Sequence, residues 1–206
     1  RIAPQWNTMA ILRDQTGELV WPMHRLDRPT SGVLIFGRTP EAAARMAELF
    51  RERKIEKTYY AVIRGWPAQD HFQVDRPLRG KKETSSRRDA KTDFEVVARV
   101  ELPFTTQPQF ATSRIAIIRC APQSGRFHQI RRHLSGEHYP LVGDAVHGDS
   151  KFNRAFRDYW GVEGLWLKAY RLTFTHPWTG ERMNLYSRWD GRWHKLFDAA
   201  GICPFS

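Results

Sequence analysis

The sequence predicts an α+β fold, a mostly antiparallel central sheet with flanking helices. Three observations carry that prediction. Segments with strand character outnumber those with helical spacing, and the two kinds do not alternate as they would in a doubly wound parallel sheet. Neither a GxGxxG nor a GxxxxGK[ST] loop is present, which removes the usual phosphate cradles of nucleotide-binding α/β folds. At 206 residues, 41% of them hydrophobic, the chain is long enough to bury a core as one domain spanning 1–206 without disulfides or metal.

The elements follow in order. Residues 32–38 (GVLIFGR) and 55–65 (IEKTYYAVIRG) are β-rich, and between them Thr39-Pro40-Glu41 opens a helix that runs to about Arg53, with Ala43, Met46, Ala47 and Phe50 at helical spacing. Residues 75–92 hold seven basic side chains, three acids and little that is apolar, so an exposed excursion is expected, either a solvated loop or one that grips a polyanion. Residues 93–102 and 112–120 read as an antiparallel strand pair. A short helix is expected over 127–135, ended by Gly136. Residues 167–175 and 182–187 flank a His-Pro-Trp-Thr-Gly turn as a hairpin, and a last helix runs from Asp190 to Gly201.

Charge narrows the partners. Thirty-three Lys and Arg against 22 Asp and Glu give a net charge of +11, which favours a polyphosphate partner. No apolar run approaches the ~20 residues of a membrane span, and Cys120 and Cys203 offer neither a disulfide framework nor a cysteine metal site. A soluble, cytoplasmic protein is expected, with no membrane partner. The chain starts at Arg1 without an initiator Met or a leader pattern, so a missing N-terminal edge is also expected.

The segment His24-Arg25-Leu26-Asp27-Arg28-Pro29-Thr30-Ser31-Gly32 places a carboxylate between two arginines in a small-residue turn before an apolar run. Flanking cations favour the ionised carboxylate, which suits a nucleophile or base, although an Asp paired with its neighbour in a turn has the same local sequence. Asp144, His147 and Asp149, with His128 and His133, suggest a metal cluster, but no HExxH or comparable spacing accompanies them and GD turns account for the acids. No metal is expected. The eight tryptophans, Trp6 among them, suit a core better than a base-stacking platform.

HRLDRPTSG resembles the HRLDxxTSG signature of the RluA family of pseudouridine synthases. Lys57-Thr58-Tyr59-Tyr60-Ala61 is similar to that family's K-x-Y-x-A element, residues 125–131 (GRFHQIR) to its GRxHQIR element, and residues 140–144 (PLVGD) to its HPILGD segment, all in the family's order. The likeness extends from about Trp21 to Pro177, and the family's N-terminal strand does not precede Arg1. It implies the pseudouridine synthase fold with an active-site cleft, a substrate uridine in structured RNA, and no cofactor. The tract 143–154 (GDAVHGDSKFNR) with Arg131-Arg132-His133 is most similar to the branch that acts on uridine-65 of tRNA, with ribosomal RNA as the alternative substrate. A monomer is expected.

The resemblance also assigns roles. Asp27 attacks the ribose or removes a proton from it, Arg131 salt-bridges Asp27, and Tyr59 stacks on the uracil and takes part in proton removal from C5. Arg25 is the candidate wedge that fills the gap left by a flipped base, and Arg28, Lys57, Arg126 and His128 are candidate RNA contacts. Each has a plainer reading: core packing for Tyr59, a phosphate contact for Arg131, pairing with an acid for Arg25. Two rival functions remain open at this point, an RNA nuclease or glycosylase using Asp27 with His128, and a basic RNA-binding module without catalysis.

Overall fold

The computed structural model describes residues 7–82 and 84–203, so Trp6 lies outside it. Helix α1 (Thr8–Thr16) leads into three two-residue strands, β1 (Trp21–Pro22), β2 (Ser31–Gly32) and β3 (Phe36–Gly37), then helix α2 (Pro40–Arg51). Next come β4 (Glu56–Arg64), β5 (His71–Asp75), β6 (Leu78–Arg79), β7 (Arg87–Arg88), β8 (Lys91–Leu102) and β9 (Ser113–Pro122). The chain continues with α3 (Gln129–Gly136), α4 (Ser150–Trp160), β10 (Leu167–Thr175), β11 (Arg182–Tyr186) and α5 (Gly191–Ala200). The main sheet runs β11-β10-β4-β9-β8-β5, antiparallel at every step, and β2 joins β10 in parallel. The α+β expectation matches this architecture.

Period-2 alternation along the central strands splits the core. Tyr60, Val62, Ile115 and Ile117 face one way, under Phe152, Phe156 and Trp160 of α4 and Trp193, Leu196 and Phe197 of α5. Ala61, Ile63, Ile118 and Cys120 face the other, against Ile130 and Leu134 of α3. Helix α2 starts as its sequence predicts, with the Thr39 side chain accepting from Ala42 N and Pro40 in the first turn, and it buries Met46 against Leu172 and Phe174. The sequence reading places no helix at α4, yet its signals are present: Asp149 caps it, Gly161 ends it in a left-handed conformation, and its three buried aromatics, Phe152, Phe156 and Trp160, recur every fourth residue.

A bulge in β10 serves two of these clusters. Ala169 pairs with Tyr59, but the next paired residue, Arg171, meets Thr58, so Tyr170 is an extra residue in the ladder. Because cross-strand partners share a face, Leu172, opposite Lys57, lies on the same side as Ala169 and reaches α2. Tyr170 meanwhile stacks on Trp189, ring centroids 4.5 Å apart.

Two segments differ from expectation. Residues 32–38 do not form a continuous strand: Gly32 pairs with β10 and Phe36–Gly37 with β1, because the chain passes from one sheet to another between them. Residues 75–92 are not wholly solvated: Leu78 and Ala90 are buried, and β6 and β7 pair as a small hairpin. Arg132 of α3 donates to the Arg79 carbonyl at 2.7 Å and holds this hairpin to the body. Helix α3 begins at Gln129, since His128 takes a left-handed φ of 51°.

Gly32 fixes the approach of the HRLDRPTSG loop to the sheet. Its φ is +131°, and a Cβ there would overlap the Ala169 carbonyl, a backbone atom that cannot step aside. Gly32→Ala is therefore expected to cost about 3 kcal/mol or more from strain and overlap. Gly17, also at positive φ but with open space around it, is the control: Gly17→Ala should cost ~1 kcal/mol. Urea unfolding of both variants checks the difference, and equal midpoints would refute the close-approach argument.

Candidate active site

His24 anchors the loop that carries Asp27. Its Nε2 accepts from Ile35 N at 3.1 Å and its ring stacks on Phe50 of α2. Burial, reinforced by the positive Lys57, pushes the imidazole down to about 4, so at neutral pH it is the neutral acceptor this bond requires. Three residues on, the Asp27 carbonyl accepts from Thr30 N at 2.8 Å, closing a tight turn, and Gly32 then docks on β10. Asp27 thus sits between two fixed points, with its side chain a quarter exposed.

The arginine that meets Asp27 is not one of its neighbours. Among the described residues Arg25 and Arg28 form no ion pair, whereas Arg131 Nη1 lies 3.3 Å from Asp27 Oδ2. The flanking-cation expectation is corrected accordingly. The two remaining arms of Arg131 are engaged by Asp144, Nε to Oδ2 at 2.7 Å and Nη2 to Oδ1 at 2.8 Å, a bidentate pair. Arg131 and Asp144 are both buried. Burial opposes charge on the arginine, but its hydrogen bonds and attraction to Asp144 and then Asp27 leave it more firmly protonated than usual. Burial likewise disfavours the Asp144 carboxylate, and Arg131 with the His147 and Val146 amides overcomes it, leaving it more acidic than an ordinary aspartate. Asn153 of α4 completes the support, donating to the Asp144 carbonyl and accepting from Gly143 N.

The segment before α3 is fastened through Gln129. Its side-chain oxygen accepts from Ser124 Oγ and Arg126 N, and its nitrogen donates to Lys91 O and Thr92 Oγ1 of β8. This sets His128, whose Nδ1 lies 2.9 Å from His147 Nε2, one ring donating and the other accepting. Burial first lowers both imidazoles, Arg131 adds to it, with His147 acting on His128 and Arg132 on His147, and together they outweigh the pull of Asp27 and Asp144, so both are neutral at pH 7. His128 Nε2 stands 3.9 Å from Asp27, beyond hydrogen-bond length.

Asp27 opens into a cleft of about 700 Å³. Tyr59 of β4 lines it beside Leu167 and Ile130, and burial, followed by the negative Asp27, pushes its phenol up to about 12. The hydroxyl is a proton donor in the free protein. Cations line the walls, Arg25, Arg51, Arg53, Lys57, Lys81 and Arg126 besides Arg131, and among the described residues Asp27 is the one carboxylate that faces them. Of the sequence-predicted residues, Asp27, Tyr59, Arg131, Arg25, Lys57, Arg126 and His128 come together here, while Arg28 is exposed and outside the wall. Asp144 was read as an acid of a GD turn. Its place directly after the PLVG segment was the available signal.

The profile described as RNA pseudouridylate synthase matches residues 4–136, about two thirds of the chain. The tRNA pseudouridine synthase C of Vibrio parahaemolyticus is 40% identical over 197 residues, covering 92% of this chain and 80% of its own. The chain belongs to the RNA pseudouridylate synthase family. It is a pseudouridine synthase of the RluA type, an isomerase. The tRNA pseudouridine synthase C of Yersinia pestis is 36% identical over 95% of this chain and 80% of its own. Human RNA pseudouridylate synthase domain containing 1 superposes with a TM-score of 0.72 at 21% identity, over 98% of this chain and 88% of that one, a likeness of fold.

Asp144 holds Arg131 where Asp27 can use it, so Asp144→Asn should break the bidentate pair and leave a buried guanidinium half-satisfied. The expected outcome is a loss of about 3 kcal/mol of stability with at least a ~10²-fold slower single-turnover rate at a temperature where the variant is folded. Unfolding curves and single-turnover product formation measure the two effects. A normal rate would show that Arg131 keeps its position without this acid.

Proposed function

We propose that the protein converts a uridine within tRNA to pseudouridine, at position 65, as one catalytic domain with Asp27 as its catalytic carboxylate. The observation that carries this reading is the Asp27–Arg131–Asp144 chain at the base of a cation-lined cleft. One guanidinium serves two carboxylates, and Asp144 takes the bidentate share. Asp27 keeps a single 3.3 Å contact, enough to orient it without occupying its other oxygen. The choice of tRNA is supported by the relatives named tRNA pseudouridine synthase C and by the tract 143–154.

A uridine in a stem must leave its stack to reach such a cleft, at a cost of a few kcal/mol that phosphate contacts repay. Arg25, exposed at the rim, fits the task of filling the vacated position. Asp27 then attacks C1′ or takes a ribose proton as the C1′–N1 bond breaks. The freed uracil stays in the cleft and turns against Tyr59, and C5 bonds to C1′ as the Asp27–C1′ ester breaks or, on the proton-removal route, as Asp27 returns the proton to the ribose. The proton on C5 leaves and N1 gains one, so the product is an isomer and no cofactor enters. Tyr59 is protonated in the free site, so it receives the C5 proton only by passing on its own. The 3.9 Å gap to a neutral His128 disfavours the nuclease reading, which needs an acid partner for Asp27.

Asp27→Asn is expected to abolish turnover while leaving tRNA affinity within a few-fold, since phosphate contacts dominate binding. Mapping pseudouridine by chemical adduct and sequencing in tRNA and ribosomal RNA, from cells with and without the gene, names the position. Product formation by Asp27→Asn near the parent rate would overturn the mechanism.

Tyr59→Phe separates two jobs. It keeps the ring but removes the hydroxyl, so RNA should bind almost normally and turn over at least ~100-fold more slowly. Tyr59→Leu should be no faster and should also bind less well, because stacking on an aromatic ring contributes about 1 to 3 kcal/mol per base. Single-turnover rates and equilibrium tRNA binding at one salt concentration make the comparison, and a parental rate for Tyr59→Phe leaves stacking alone.

A further inference from the structure

We propose that Arg53, Lys57 and Arg126 form a seat for the phosphate of the target nucleotide, centred on the Lys57 ammonium. The proposal rests on the RNA-modifying reading of the cleft and names which backbone anion it holds.

Lys57 is an unusual lysine for this protein. It is partly buried, and its ammonium donates to the Ser124 carbonyl at 2.9 Å. Among the described residues it has no carboxylate partner. Its sequence neighbour Glu56 is engaged by Arg182 at 2.5 Å, in a pair more than half exposed. Buried Lys168 has Asp190 at 3.9 Å, and partly buried Lys91 has Asp75 at 4.0 Å. Some exposed arginines are also paired, Arg38 with Glu18 and Arg45 with Glu41. Around Lys57 the charged neighbours are further cations, Arg53 after α2 and Arg126 before α3, with neutral His24 across the loop. Neither arginine forms an ion pair among the described residues, and Arg126 spends its Nε on the Asp89 carbonyl. Three unpaired cations converging on one wall of a cleft repel one another unless an anion arrives between them.

Position identifies the anion. Lys57 and Tyr59 are two residues apart on β4, so both face the cleft, about 7 Å from each other along the strand. Tyr59 lies close enough to Asp27 to feel its charge. That spacing is comparable to the reach from a uracil ring across its sugar to its own phosphate. A nucleotide with C1′ at Asp27 and its base on Tyr59 therefore has its phosphate at Lys57, whereas phosphates further along the stem fall to outer cations such as Lys81.

Electrostatics adds a signature. Burial, then Arg53 and Arg126, lowers the Lys57 ammonium to about 8. In the free protein the charged form is the disfavoured one, so the lysine weakens the fold below pH 8 and ceases to do so as it deprotonates above it. A bound phosphate restores the charge, and RNA binding should then be accompanied by proton uptake near pH 8 and above.

The test compares the wild type with Lys57→Met and with Lys81→Met, a rim control that shares any titration of the RNA itself. Equilibrium binding of an unmodified tRNA transcript is measured from pH 7.0 to 8.8 at one salt concentration, with the melting temperature of each free protein. Lys57→Met is expected to bind about tenfold more weakly at pH 7, to lose the fall in affinity above pH 8 that the wild type and Lys81→Met show, and to melt about 2 °C higher or more. Affinity within twofold of wild type, a pH profile parallel to that of Lys81→Met, or a lower melting temperature would each overturn the phosphate seat. Turnover by Asp27→Asn in the same preparation keeps the two readings apart: if that variant is inactive while Lys57→Met binds normally, only the seat is wrong.

Discussion

Arg131 is placed where water does not reach it, and a guanidinium in that position is tolerable only if anions surround it. Asp144 supplies most of that compensation through two parallel hydrogen bonds, and Asp27 supplies the remainder. The geometry of the whole site follows from this division. To present Asp144, the segment after β9 must run through α3, turn at Gly143 and be clasped by Asn153 of α4. To present Asp27, the HRLDRPTSG loop must be pinned at His24 and again at Gly32. Helix α3 lies between the two acids and carries the arginine, so helices, loop and sheet meet at one side chain.

Charge is distributed unevenly over the molecule in a way that separates structure from function. Most cations on the outer surface have acids within reach, such as Arg38 with Glu18 or Arg99 with Asp70, and these exposed pairs contribute little to stability. In the cleft the pairing thins out. Arg131 is matched there and Arg51 reaches Glu48 at 3.4 Å, but among the described residues Arg25, Arg53, Lys57, Lys81 and Arg126 have no carboxylate partner. A large share of the net charge of +11 thus lies along the wall where a polyanion would sit.

Much of this was legible in the sequence, for identifiable reasons. Helix α2 and helix α5 announce themselves through Thr39-Pro40 and Asp190, whose side chains accept from the first turn as expected. The long antiparallel strands follow from β-branched and aromatic runs. Asp27, Tyr59 and Arg131 were recognised through three short motifs and do meet in space, although 104 residues separate Asp27 from Arg131. What local sequence could not show is which arginine reaches Asp27, because nearness along the chain favoured Arg25 and Arg28 while the fold chose otherwise. Asp144 was passed over for the same reason: a GD turn looks alike whether its acid faces water or a buried guanidinium. The two-residue strands β2 and β3 depend on partners far away in sequence, so no local periodicity could have marked their limits.

The extra residue in β10 has a consequence for how this part of the chain can change over evolutionary time. A strict two-residue alternation through residues 167–175 would put Lys168, Tyr170, Leu172 and Phe174 on one side, and the folded strand instead divides them. Removing Tyr170 would delete an aromatic ring yet leave Ala169 opposite Tyr59 and Leu172 opposite Lys57, because the ladder already passes over it. A single deletion at a paired position can be absorbed in the same place, with Tyr170 moving into the ladder, so that Phe174 keeps its side toward α2. The bulge is thus a spare residue: one loss from this strand can leave the wall behind the cleft in place, whereas a second would reverse the alternation beyond it.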